Sequence, residues 1–128
     1  MVVRIIDSLN GVDIREQVWE FERPKLTVRA LLQARVSREV EVFNLHRPEV
    51  YRGLVQPEES ERILNGYRVK VLRTLDPEHE FERAIQAFRT NGLLILAGKR
   101  QIESLDEEID LSSVDQVEFL KLVPLIGG

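Results

Sequence analysis

Residues 93–102 read Leu93-Leu94-Ile95-Leu96-Ala97-Gly98-Lys99-Arg100-Gln101-Ile102, and this decapeptide decides how its neighbours are read. Five consecutive apolar residues bounded by turn formers are long enough for a strand and too short for a helix. Gly98-Lys99 is a two-residue connection whose glycine tolerates positive φ, so Arg100–Ile102 is read as a return strand. Just upstream, Asn91-Gly92 is a helix stop, and Asp76-Pro77-Glu78 is the matching start. Between them Phe81, Ala84, Ile85 and Phe88 recur at i, i+3, i+4 and i+7, the stripe a helix buries. Downstream, Leu105–Leu111 is expected to be a turn or a short 3₁₀ segment, and Gln116–Val123 a final strand. Pro124 has no N–H to pair, so residues 124–128 are expected to leave the body as a flexible tail.

The first half is read from the same signals. Val2–Ile6 is rich in β-branched residues, Asn10-Gly11 is a hairpin pair, and Val12–Phe21 resumes as a strand that Pro24 stops. Thr27 caps a helix to about Val36 that buries Val28, Leu31, Leu32 and Val36. Glu39–Leu45 alternates enough for a short third strand. Residues 46–75 read as a loop with one short helix, begun at Pro57-Glu58-Glu59 and stopped at Asn65-Gly66, followed by a half-exposed strand over Tyr67–Leu72. Trp19 and Phe21 belong to the expected core. The sum is an α+β domain, a small mixed sheet packed on a helix.

Composition limits the chemistry. A length of 128 residues suits one domain, and 43% hydrophobic residues suffice for a packed core. The absence of cysteine excludes disulfides, zinc–thiolate sites and thiol nucleophiles of the chain itself. A net charge of −4, with basic residues never more than two in a row, argues against nucleic-acid binding. The opening heptapeptide is too short an apolar stretch for a signal peptide, and no apolar run approaches the ~20 residues of a membrane span. The expectation is a cytoplasmic protein that binds or carries rather than catalyses, with no nucleic acid, membrane, metal or cofactor of its own.

The informative chemistry lies at the end of the sequence, where an apolar stretch, Leu122-Val123-Pro124-Leu125-Ile126, runs into Gly127-Gly128. Two glycines there stabilise no fold, and their backbone entropy is a cost unless something needs an extended chain without side chains. An enzyme tunnel too narrow for a Cβ, leading a carboxylate to a nucleotide phosphate, is one such need; a frayed or truncated end would read the same. Leu94-Ile95-Leu96-Ala97-Gly98-Lys99-Arg100 resembles the strand–turn segment Leu-Ile-Phe-Ala-Gly-Lys-Gln of the ubiquitin family. A polar turn at Leu105-Asp106-Glu107-Glu108 follows, then a strand, Val117–Leu122, that leads to the diglycine. Gln116-Val117-Glu118-Phe119, Pro124 and Gly127-Gly128 also resemble the end of the sulfur-carrier β-grasp proteins, the molybdopterin-synthase small subunit and the thiamine-pathway carrier. The combination looks most like a bacterial ubiquitin-like protein.

This resemblance covers about the first 45 and the last 37 residues, and leaves 46–91 as an insertion. It implies a ubiquitin-like β-grasp with a helical insertion, and a role as protein modifier. The Gly128 carboxylate would be adenylated by a partner activating enzyme that supplies ATP and magnesium. A conjugating enzyme would then pass it to protein targets, with a deconjugating protease as a further partner. A sulfur carrier ending in a thiocarboxylate and a non-conjugated interaction domain are the alternatives. Gly127 and Gly128 are then the activation residues, and Leu122, Val123, Pro124, Leu125 and Ile126 the residues a partner would read. The tail departs from ubiquitin, which has arginines before its glycines, so an activating enzyme that reads basic tail residues should not accept it.

His46 and His79, each near a glutamate, are expected at solvent-exposed or structural positions. Asp106-Glu107-Glu108 is expected to be a solvated face, with a docking patch for a basic partner as the alternative. Tyr51, Leu54, Val55 and Tyr67 of the insertion extend the core or line a partner groove. Only Lys25, Lys70, Lys99 and Lys121 could accept an isopeptide bond, against fourteen arginines.

Overall fold

A computed structural model describes residues 1–46, 50–58, 60–63, 66–69 and 74–123. In chain order the elements are β1 (Val2–Leu9), β2 (Val12–Glu20), β3 (Lys25–Thr27), α1 (Val28–His46), β4 (Val50–Tyr51), β5 (Ser60–Ile63) and β6 (Gly66–Val69). They are followed by α2 (Pro77–Arg89), β7 (Leu93–Ala97), β8 (Arg100–Ile102), β9 (Glu108–Asp110) and β10 (Gln116–Lys121). The chain divides into two compact units, one of residues 1–31 and 88–128, the other of residues 32–87. The class is α+β, with a mixed five-stranded sheet and two helices.

The first unit is built on that sheet, in the order β2-β1-β10-β7-β8. The central pair, β1 and β10, is parallel, Ile5 standing opposite Val117; every other neighbour is antiparallel. Alternation places Ile5, Val117 and Ala97 in one buried row across the sheet, and Phe119, Ile95 and Ile102 in the next. The turns carry the backbone the sequence required. Asn10 (φ 49°) and Gly11 (φ 90°) both take positive φ, as a type I′ hairpin needs. At the β7–β8 turn only Gly98 (φ 63°), the first of its two central residues, does so, the type II′ pattern.

The register between β1 and β2 slips by one residue between Asp7 and Ser8, which leaves Ile14 as the extra residue of a bulge. Strand β3 pairs with β9, Leu26 opposite Ile109, so the segment 105–111 contains a strand beyond its turn. Thr27 caps α1 as expected: its Oγ1 accepts from the Ala30 N–H (3.1 Å). The two preceding N–H groups of that first turn donate to carbonyls of the 105–107 turn, Val28 to Glu107 (2.8 Å) and Arg29 to Leu105 (2.8 Å). Three of the four donors that a helix start leaves without intrahelical partners are thereby satisfied.

The second unit holds α1 from Leu32 onward, β4, β5, β6 and α2 as far as Ala87. The three strands pair antiparallel in the order β4-β6-β5. Two sequence expectations fail here. Glu39–Leu45 is not a third strand; it is the last two turns of α1, which runs unbroken to His46. Leu32, Arg35, Val36, Val40 and Phe43 are buried at helical spacing, while Val42 is 51% and Leu45 76% exposed. The residues that hide this period are Arg35 and Glu39, charged side chains on the buried stripe.

The helix expected from Pro57 to Asn65-Gly66 is also not formed. β5 and β6 pair instead, Ile63 opposite Gly66, and Asn65 lies outside the described residues. Gly66 serves a close approach rather than a helix stop, since a Cβ there would lie 2.6 Å from the Tyr51 carbonyl oxygen. The strand expected over Tyr67–Leu72 is β6 as far as Val69, and residues 70–72 lie outside the described residues. Helix α2 forms where expected, but its fully buried residues are Ala84 and Glu80; Phe81, Ile85 and Phe88 are only half-buried.

Candidate functional site

Of the seven tail residues singled out in the sequence, Leu122 and Val123 are described; Pro124, Leu125, Ile126, Gly127 and Gly128 lie outside the described residues. The structure does define the base from which they follow. Strand β10 is the central strand, hydrogen-bonded to β1 on one side and β7 on the other, and its register with β1 ends at Leu9 opposite Lys121. Beyond that point the Asn10 N–H donates to the Lys121 carbonyl (2.9 Å), and the Leu122 N–H donates to the Gly92 carbonyl (2.9 Å). Leu122 itself is 42% exposed.

The next residue is held by a side chain. Asn10 Nδ2 donates to the Val123 carbonyl oxygen (3.1 Å), and the Val123 N–H donates to Asn10 Oδ1 (2.9 Å). One amide therefore satisfies both main-chain polar groups of the residue before Pro124, as a neighbouring strand would. In the sequence Asn10 reads as a turn former only. No local signal marks the contact, since a hairpin asparagine reads the same whether or not its amide has a distant partner.

The other candidates resolve into ordinary local chemistry. His46 is exposed, and His79 Nε2 lies 3.3 Å from Glu58 Oε1 at the surface. In the acidic run, Asp106 pairs with Arg29 (3.3 Å) and Glu107 with Arg100, which occupies two of its three carboxylates within the first unit. Trp19 is buried, stacks on half-buried Phe21 at 6.0 Å and donates through Nε1 to Gln17 Oε1 (2.9 Å). Lys25 and Lys99 are exposed and Lys121 is half-buried; Lys70 lies outside the described residues. No group of three or more histidine, aspartate or glutamate side chains among the described residues is placed to hold a metal ion. No helix among them is long and apolar enough to cross a membrane.

The second unit contains a buried polar cluster that the sequence did not signal. Arg35 Nε pairs with Glu39 Oε1 one turn along α1, with side chains 1% and 9% exposed. Glu39 Oε2 accepts from the Leu54 N–H (3.2 Å) and stands 3.4 Å from the Tyr51 hydroxyl. Tyr51 stacks edge-on against Phe43 at 5.4 Å, and burial, reinforced by Glu39 and Glu80, pushes its phenol well above the usual tyrosine range. Gly53 is required here: a Cβ would lie 2.1 Å from the Tyr51 ring. Tyr51, Leu54, Val55 and Tyr67 are all buried, so in this unit they serve the core.

Burial also pushes the Tyr67 phenol upward, and the other perturbed groups lie at the surface of the first unit. A hydrogen bond from Arg4 holds Glu16 below the usual carboxylate range, and two from Ser112 do the same for Asp110. Comparison with known proteins finds no matching protein family, no matching curated protein and no matching solved structure.

Proposed function

We propose that the chain is a ubiquitin-like β-grasp protein that works as a modifier, activated and conjugated through the Gly128 carboxylate. The observation that carries this reading is the placement of β10. The strand that leads to Gly127-Gly128 is the central strand of a mixed sheet, parallel to β1 and flanked on both sides. An order of β2-β1-β10-β7-β8 around one parallel pair is compatible with a β-grasp. It gives the diglycine a rigid base, which lowers the ordering cost of delivering a short apolar tail into a narrow enzyme channel.

The chemistry asked of the chain is small. The Gly128 carboxylate, as encoded or as released by cleavage after it, attacks the α-phosphorus of ATP in a partner enzyme and displaces pyrophosphate. The resulting acyl-adenylate has AMP as a good leaving group. A partner's thiol displaces AMP to give a thioester, and a target amine then displaces that thiol, ending in an amide. ATP, magnesium and nucleophile belong to the partners; this protein supplies the carboxylate and the surface that docks it, and performs no catalysis.

ATP–pyrophosphate exchange, run with candidate adenylating enzymes, tests the proposal. Exchange should require the chain and vanish when Gly127 and Gly128 are deleted; no exchange with any such enzyme overturns it. Mass spectrometry of the protein from its native host then separates outcomes. Glycine-linked target peptides support the modifier, whereas a terminal thiocarboxylate would assign the chain to sulfur transfer instead.

A further inference from the structure

The β1–β2 turn needs positive φ at position 10, and for that purpose alone glycine would serve as well as asparagine. Asparagine adds a planar amide with one acceptor face and one donor face. Here the two faces meet the N–H and the C=O of Val123, at 2.9 and 3.1 Å. Only one orientation of the amide makes both contacts hydrogen bonds, because the flipped amide would set donor against donor and acceptor against acceptor. The contact joins residues 113 apart in sequence, so it is tertiary. It falls at the last residue before Pro124, which has no N–H to offer. The main-chain register between β1 and β10 stops at Lys121, where β1 turns away, and the side chain extends the pairing past that stop.

We propose that Asn10 is the positioning residue of the diglycine tail, an inference that rests on the proposed activation of Gly128. By holding both polar groups of Val123 it sets, beside the β1–β2 turn, the point from which Pro124-Leu125-Ile126-Gly127-Gly128 is presented to an adenylating enzyme. Five residues extend at most about 17 Å, so the enzyme's nucleotide must come within that distance of the turn. Two requirements select the residue type. Position 10 must accept a left-handed backbone, and its side chain must donate and accept at once. Glycine meets only the first requirement, glutamine only the second, and an ionised aspartate accepts without donating.

The test uses the full chain with Asn10→Gly and Asn10→Asp, read by amide exchange at single-residue resolution. In the native protein the Val123 amide should be protected about tenfold or more, as a paired amide is. In N10G that protection should fall to the level of an open chain, while Val117 and Phe119 on β10 keep theirs, because glycine preserves the turn. In N10D at neutral pH the carboxylate still accepts from the Val123 N–H but sets an acceptor against its carbonyl, so protection should fall between native and N10G, and rise toward native below about pH 3, where the protonated carboxyl regains an O–H donor. Protection of Val123 in N10G equal to native overturns the proposal, as does loss along the whole of β10, which would make Asn10 a residue of the sheet rather than of the tail. With an activating enzyme in hand, N10G should raise the half-saturating concentration of the chain about tenfold at an unchanged maximal rate, since only the fraction of presentable tails falls. Failure of pyrophosphate exchange with the Val123 result intact would overturn the activation reading and leave the clasp standing. A native-like Val123 in N10G with exchange intact would do the reverse.

Discussion

The two units bury their interiors with different chemistry. In the first, the centre of the sheet is mostly aliphatic and aromatic, Ile5, Ile95, Ile102, Val117 and Phe119 all being at most 1% exposed, with Asp7 and Ser8 of β1 buried beside them. In the second, α1 turns an arginine and a glutamate inward among Leu32, Val36, Val40 and Phe43, and a tyrosine hydroxyl and a main-chain amide meet that glutamate. An apolar core is stabilised by area removed from water and forgives imprecise geometry. A buried ion pair must recover the desolvation of both charges through well-aligned partners, and it punishes the loss of either one.

The largest expected effect comes from breaking that asymmetry. Arg35→Met removes the cation that pairs with buried Glu39 and should cost about 3–5 kcal/mol in denaturant unfolding. Combining Arg35→Met with Glu39→Leu should recover most of that loss, because the pair leaves together. If the single variant were neutral, the cluster would not be the buried ion pair described. In the first unit, Ile95→Ala removes a fully buried side chain from the middle of the sheet and should cost about 3 kcal/mol by the same measurement, with no comparable rescue by a second truncation.

The smallest effect is a titration. Tyr51 is held neutral by the fold, its pKa raised above the unfolded value of about 10. Below that value both states are protonated and the group makes no difference. Above it the unfolded chain gives up the proton while the folded one keeps it, so stability falls by at most about 1.4 kcal/mol per pH unit. An alkaline unfolding curve of Tyr51→Phe should lack this component, and an unchanged curve would show that another group dominates.

The same asymmetry governs what could be read from the sequence. Leu93–Ala97, Arg100–Ile102 and the turn between them form as expected, because alternation, length and a glycine at the turn agree with one another. The opening hairpin and the start of α1 form for the same reason, with Asn10-Gly11 and Thr27 in their expected backbone roles. In α1 the helical period was masked by Arg35 and Glu39, whose inward placement depends on partners such as Leu54 that lie elsewhere in the chain. Gly66 was misread because its need is a close approach to Tyr51, which no local pattern reveals. The pairing of β3 with β9 joins segments of three residues each, too short to carry a period.

At the candidate site, the end of β10 was legible as a strand running into an apolar tail. The clasp that holds it was not, because a turn-forming asparagine looks the same whether or not its amide has work to do. The device is general in this molecule: Asn44 holds Leu75 in the same way, accepting from its N–H at 2.7 Å and donating to its carbonyl at 2.8 Å. Both asparagines act as one-residue strands, and both contacts are invisible to local pattern.

Strand β2 has a consequence for behaviour in concentrated solution. It stands at the end of the sheet order, nine residues long, with Val12, Ile14 and Val18 between 46% and 66% exposed. Such an edge is a template on which another chain could add a strand. Asp13, Arg15, Glu16 and Glu20 interleave those aliphatics with charge, Arg4 and Glu16 are joined at 2.5 Å, and the bulge at Ile14 twists the edge out of a flat register. The charges of β2 therefore act as gatekeepers against aggregation. Neutralising them would show first as lost solubility, well before any change in the midpoint of unfolding.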